Sequence, residues 1–228
     1  MKVFGFFDGK KAAFIAIFAV LSFVFAGINF SPLLGAQNQS FTYFQFFAPT
    51  TGFFLGPLAG AISVLAAQSA MLVSKGDFSW FSIARLLPML FAAYYFGAKN
   101  RKTIAFIPIA CMAFFIAHPV GMQSWFYTLF WLIPLAAALR KENLFLKSLG
   151  ATFTAHAIGA TAFIYLVPST PALWAMLVPV TAIERFVFAC GISLSFIAFN
   201  TVLSWIEEKM PLKHINLDKS HVVKLSAQ

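Results

Sequence analysis

Long apolar runs separated by short polar breaks occupy nearly the whole chain. The runs cover 12–29, 42–55, 57–74, 80–97, 103–117, 122–139, 145–167 and 179–206. An α-helix rises about 1.5 Å per residue, so about 20 residues cross a hydrocarbon layer of roughly 30 Å. Runs of this kind predict membrane helices rather than strands. The second, at about 21 Å, is short for a crossing and needs neighbouring helices to shield its ends. Its boundary with the third is the most informative break in the chain, Phe53-Phe54-Leu55-Gly56-Pro57-Leu58-Ala59-Gly60-Ala61. Proline suits the first turn of a helix and glycine lets the chain reverse, so Gly56-Pro57 ends one helix and starts the next.

The last apolar stretch raises a length problem. A single helix over 172–206 would measure about 52 Å, nearly twice what a bilayer needs. The sequence therefore predicts a final span beginning at Pro179, with Glu184 and Arg185 near the outer surface. Ala172–Val178 becomes an interfacial or re-entrant piece, with Trp174 as a headgroup-level anchor. On a helix, adjacent Glu184 and Arg185 point about 100° apart and do not readily satisfy each other.

Composition fixes the solvent. With 61% hydrophobic residues, 30 Phe and only 10% charged residues in 228, the chain cannot hide its apolar surface in a water-soluble core. The expected fold class is an all-α polytopic transmembrane bundle of six to eight spans. One membrane domain covers 1–208 and a basic tail covers 209–228. The first run is too long for a signal-peptide core and lacks a clear cleavage site, so it is expected to remain as a span. Cys111 and Cys190 both lie in apolar runs and read as small hydrophobes.

A net charge of +9 invites a nucleic-acid reading, but the cations sit at the edges of spans. Lys2, Lys10 and Lys11 precede the first; Lys99, Arg101 and Lys102 form one loop; Arg140, Lys141 and Lys147 form another; Lys209, Lys213, Lys219 and Lys224 mark the tail. Basic loops stay in the cytoplasm, which places both termini there. The segments 30–40, 118–123 and 168–171 lack Lys and Arg and lie outside. If 42–74 were one helix, the Lys99 loop would conflict with the N-terminus, so charge also demands the Gly56-Pro57 break. The tail is expected to lie against anionic headgroups. The Asn38-Gln39-Ser40 sequon falls in an outer loop.

Polar groups at membrane depth are costly unless paired or wetted, which makes them the candidate ligand contacts. Arg85 can bind a carboxylate or phosphate, with snorkelling toward headgroups as the alternative. His156 sits among small residues mid-span, where a structural bond to a neighbouring Ser or Thr competes with ligand contact. Glu184, Arg185, Gln68 and Gln123 complete the substrate-binding set, with Gln45 and His118 as further possibilities. Aromatic side chains offer stacking walls for a flat ligand, although Trp80, Trp125, Trp174 and Trp205 near span ends fit an interface belt better. No zinc-protease, nucleophile-elbow or phosphate-loop motif occurs, and no metal-ligating cluster, so neither an enzyme nor a cofactor is expected.

The order of features resembles the substrate-binding S component of energy-coupling factor (ECF) transporters, the vitamin-uptake relatives of ABC importers. Ala12-x-x-x-Ala16 followed by Ala19 is similar to the family's alanine motif; small residues four apart let another helix approach closely. Gly52-x-x-x-Gly56-Pro57-x-x-Gly60-Ala61 looks like its second-to-third-helix turn. Phe81 to Lys102 resembles the fourth span and basic loop, and Pro179 to Lys209 the last span. The match covers about the first hundred residues and the last sixty-odd. The family usually has six spans, and the segment Thr103 to Leu139 departs from it as an additional hairpin. The resemblance implies capture of a small organic solute at a prokaryotic plasma membrane. It also implies docking through Ala12, Ala16 and Ala19 on a transmembrane coupling subunit served by ABC-type ATPase subunits. Two other classes stay open: an intramembrane enzyme using His156 and Glu184/Arg185, and a non-transport assembly protein.

Overall fold

The computed structural model describes residues 9–32, 40–140, 143–209, 211–212 and 215–223. Helix α1 (Gly9–Ala26) leads into strands β1 (Asn29–Pro32) and β2 (Ser40–Thr42); then come α2 (Phe44–Leu55), α3 (Pro57–Lys75), α4 (Trp80–Ala84) and α5 (Leu86–Gly97). The second half holds α6 (Arg101–Ala117), α7 (Pro119–Gln123), a 3-10 segment (Trp125–Trp131), α8 (Leu132–Leu139), α9 (Leu144–Leu166) and α10 (Pro171–Lys209). Among the described residues, α3, α9 and α10 are long and apolar enough to cross a membrane, and shorter apolar helices cover Phe14–Ala26, Thr103–Ala117 and Trp125–Leu139. The chain is thus largely helical, as expected, with one addition. β1 and β2 pair antiparallel, Asn29 opposite Thr42 and Pro32 opposite Ser40, in the connection between α1 and α2 that an all-α reading left without structure.

The Gly56-Pro57 break stands where the sequence put it. Gly56 links α2 to α3 with φ of 86°, a left-handed-side conformation that suits glycine, and Pro57 occupies the first turn of α3. The flanking glycines bring backbones together. A Cβ on Gly52 would lie 1.7 Å from the Ala93 carbonyl oxygen of α5, and one on Gly60 would lie 2.5 Å from Gly52 Cα. Small residues here let α2, α3 and α5 pack backbone to backbone.

Two apolar clusters form the interior. The first joins Phe18 of α1, Phe47 and Phe54 of α2, Phe96 of α5 and Phe196 of α10. The second joins Phe115 of α6, Tyr127 and Trp131 of the 3-10 segment, Phe163 of α9 and Trp174 of α10. The segment 103–139 therefore supplies much of a second core.

Three expectations are corrected. Helix α10 runs unbroken over 39 residues with Pro179 inside it, so Ala172–Val178 is helix rather than a separate interfacial piece. Trp174 is not an interfacial anchor: it is buried, edge-on to Phe115 and packed against Tyr127, both at 4.9 Å, with Nε1 donating to Ser169 Oγ. The described part of the tail does not extend along a surface. Leu212 and Ile215 are buried, Asn216 N donates to the Phe54 carbonyl at 2.9 Å, and Asn216 Nδ2 donates to the Phe53 carbonyl at 2.8 Å. Asn38 and the side chain of Ala12 lie outside the described residues, as do Lys2, Lys141, Lys213 and Lys224.

Candidate functional site

A cavity of about 450 Å³ lies between the two apolar clusters, walled by Phe44 and Met89 from the first and by Tyr127, Phe163 and Trp174 from the second. Its rim carries Ser40, Phe41 and Thr42 of β2, with Lys75 at the end of α3 and Asp77 just after it. Five of the six residues expected to contact substrate line it: Gln68, Arg85, His156, Glu184 and Arg185. They arrive from α3, the α4–α5 junction, α9 and α10, positions far apart in sequence. The sixth does not join them. Gln123 is exposed at the end of α7, its Nε2 donating to the Pro119 carbonyl at 3.3 Å. His118 also stays outside, its Nδ1 accepting from Val120 N at 3.2 Å to cap α7 and its ring edge-on to Tyr165.

Arg85 ends α4 and begins the turn into α5. Its Nη2 donates to the Ser40 carbonyl at 2.9 Å, so the guanidinium ties β2 to the helix bundle instead of snorkelling. Gln68 Nε2 donates to the Arg85 carbonyl at 3.0 Å, which fixes the amide orientation, since a flip would set two acceptors together. Gln45 lines the cavity but caps its own helix start, Oε1 accepting from Thr42 N at 3.1 Å and from Thr42 Oγ1 at 3.2 Å.

Arg185 is 2% exposed, its side chain enclosed by the bundle. It does reach adjacent Glu184, but only at 3.5 Å from Nη2 to Oε2, and its Nη1 lies 3.4 Å from Thr152 Oγ1. Charge-assisted bonds normally close to about 2.7–2.9 Å, so both contacts are slack. The guanidinium also lies 4.4 Å from the Phe188 ring centre and 4.9 Å from that of Phe41, positions of cation–π attraction. Glu184 Oε1 accepts from Ser31 Oγ of β1 at 3.4 Å, a second tie between the strands and the bundle. His156 stands among the rings of Tyr127, Phe130 and Phe153, and its Nε2 has no hydrogen-bond partner, so the expected bond to Ser or Thr is not made through that atom.

At the rim, Ser82 Oγ and the Ser79 backbone N–H donate to the Asp77 carboxylate, holding it below the usual carboxylate range. Sequence reasoning missed Tyr127, whose hydroxyl sits 2.6 Å from Thr181 Oγ1 and joins the 3-10 segment to α10 at the cavity wall. Its neighbours Phe126 and Phe130 share its aromatic character, so nothing local sets Tyr127 apart; the hydroxyl was the one available signal. Comparison with protein-family models, curated proteins and solved structures returned no match.

Proposed function

We propose that this chain is the membrane-embedded substrate-capture component of an ECF-type importer for a vitamin-like small organic solute. A separate transmembrane coupling subunit and ABC-type ATPase subunits supply the power. In this reading α1, α2, α3, α4–α5, α6, the 3-10 segment with α8, α9 and α10 give eight crossings of a prokaryotic plasma membrane, and both termini are cytoplasmic. The observation that carries the reading is the cavity: one aromatic-walled space gathers Gln68, Arg85, His156, Glu184 and Arg185, groups that membrane interiors tolerate only where they are used or paired.

Placement supports it. The Gly56 turn, the end of α5 and the start of α9 lie at one end, where Lys147 Nζ stands 5.1 Å from the Phe53 ring centre and 5.0 Å from that of Phe96. The basic loops after Gly97 and Leu139 belong to that end, the cytoplasmic one by charge. The cavity rim belongs to the other, where β1 and β2 lie. Docking would use α1, on which Ala16 is exposed and Ala19 half-buried, beside exposed Ile17, Val20 and Val24. Small and apolar, that face suits close approach of a partner helix.

The test is purification of the tagged chain from its native membranes in mild detergent, with mass spectrometry of retained proteins. Recovery of a transmembrane subunit together with ABC-type ATPases is the expected result. Recovery of the folded chain without them would end the importer reading.

A further inference from the structure

We infer that the cavity is built for a singly charged organic anion, a carboxylate carried on an aromatic body, with the Arg185 guanidinium as its anchor. This names the substrate class of the capture site proposed above and rests on that reading for its transport role only.

Three buried side-chain atoms on the cavity wall have no hydrogen-bond partner: Arg185 Nε, His156 Nε2 and Gln68 Oε1. A buried polar atom left unpaired is costly in a low-dielectric interior, and three around one space call for an occupant that meets them. Arg185 is the most exacting. Its charge is buried, its two hydrogen-bond contacts are at 3.4 and 3.5 Å, and Nε has nothing. The rings of Phe41 and Phe188 face the guanidinium without accepting its N–H groups in the plane. A fork of N–H donors with slack partners matches the two oxygens of a carboxylate.

The charges of the wall point the same way. Arg185 pairs loosely with Glu184, Asp77 attracts Arg85, and Lys75 stands exposed at the rim. Over the whole lining three cations, Lys75, Arg85 and Arg185, face two carboxylates, Asp77 and Glu184, which leaves one positive charge in excess. A monoanion balances the site; a cation would add to the excess and a dianion would overfill it. The rest of the ligand is described by the remaining walls. Phe41, Phe81, Tyr127 and Trp174 offer aromatic faces, and 450 Å³ falls in the ordinary range for small-molecule sites. Gln68 Oε1, fixed as an acceptor, requires an N–H or O–H on the ligand.

The experiment measures binding of four indole probes of near-equal size to the purified full chain in nanodiscs: indole-3-acetate, indole-3-acetamide, tryptamine and indoxyl phosphate. The acid should bind at least about tenfold tighter than its neutral amide, with tryptamine weakest and the dianionic phosphate weaker than the acid. Arg185→Gln should erase the preference of acid over amide. Glu184→Gln, which removes the competing internal anion, should tighten the acid and leave the amide unchanged, a gain that a merely structural Glu184 would not produce. Equal binding of acid and amide, preference for the amine or the phosphate, weaker acid binding by Glu184→Gln, or binding of none of the four would each overturn the inference. The two readings fail separately. Acid-selective binding without co-purifying ATPases removes the importer and keeps the anion site; ATPase recovery with acid and amide bound alike does the reverse.

Discussion

Asn200 shows how one residue ties the tail to the bundle. Fully buried on α10, it donates from Nδ2 to the carbonyls of Asp218 at 2.7 Å and His221 at 3.0 Å, and its Oδ1 accepts from Asp218 N at 2.9 Å. Asn200→Ala strands three backbone groups and should lower stability by about 2–4 kcal/mol, read as a drop in thermal midpoint in detergent together with faster proteolysis of the tail. The turn Lys219–His221 begins at Asp218. Partial burial raises the affinity of the Asp218 carboxyl for its proton, but hydrogen bonds from Ser220 and His221 outweigh that and hold it below the usual carboxylate range. A carboxylate depressed on folding adds stability above its unfolded value of about 3.9, and that stability is lost as pH falls through the lower folded value. Protection of the Ser220 and Val223 amides, taken relative to their intrinsic exchange rates at each pH, should therefore hold down to pH 5 and fall only below about pH 4. Loss of protection already at pH 5 would show that Asp218 does not hold the strap.

Glycines decide how closely the helices come. Gly52→Ala would drive a methyl into the Ala93 carbonyl, where backbone on both sides leaves nothing to move aside, whereas an alanine at Gly76, with φ of 66°, meets nothing within 4 Å. The first change should separate α2 from α5 and prevent recovery of folded protein; the second should cost about 1 kcal/mol of backbone strain and leave a folded chain. Monodispersity on size exclusion compares them directly. The close approach was legible because Gly and Pro act locally, and Gly56-Pro57 carries its conformational reason in its own two residues. Helix α10 was not legible for the opposite reason. The length argument assumed that a helix must end near the hydrocarbon boundary, and local sequence gave no sign that Trp174 would pack against Phe115, Tyr127 and Phe163, contacts that hold the first turns of α10 in the bundle. The same distance in sequence hid Tyr127. Gln68, Arg85, His156, Glu184 and Arg185, which line one cavity, were singled out by chemistry, since each is polar where lipid is the alternative; Gln123 lies apart from them at an exposed helix end, where that logic does not apply.

Across the whole molecule, the cavity and the exposed Ala16 face of α1, to which the proposed reading gives ligand and partner, lie on separate surfaces. The cavity sits between two cores and opens beside β1 and β2, while the exposed Ala16 face of α1 points out of the bundle near its opposite end, where Ser63 Oγ of α3 donates to the Ile15 carbonyl at 3.2 Å. Ser63 and Ile15 lie early in their helices, six residues after Pro57 and six after Gly9, which sets the two helix starts at one level. Small residues on that face leave room for close approach of another helix. Ala16→Trp should remove co-purifying coupling and ATPase subunits while leaving probe affinity in nanodiscs within about twofold of the parent, because no cavity residue touches that face. Arg185→Gln should show the converse, with partners retained and anion preference gone. If Ala16→Trp keeps its partners, the α1 face is a lipid surface and docking lies elsewhere; if it loses ligand as well, the two surfaces are coupled through α3 and cannot be assigned independent roles.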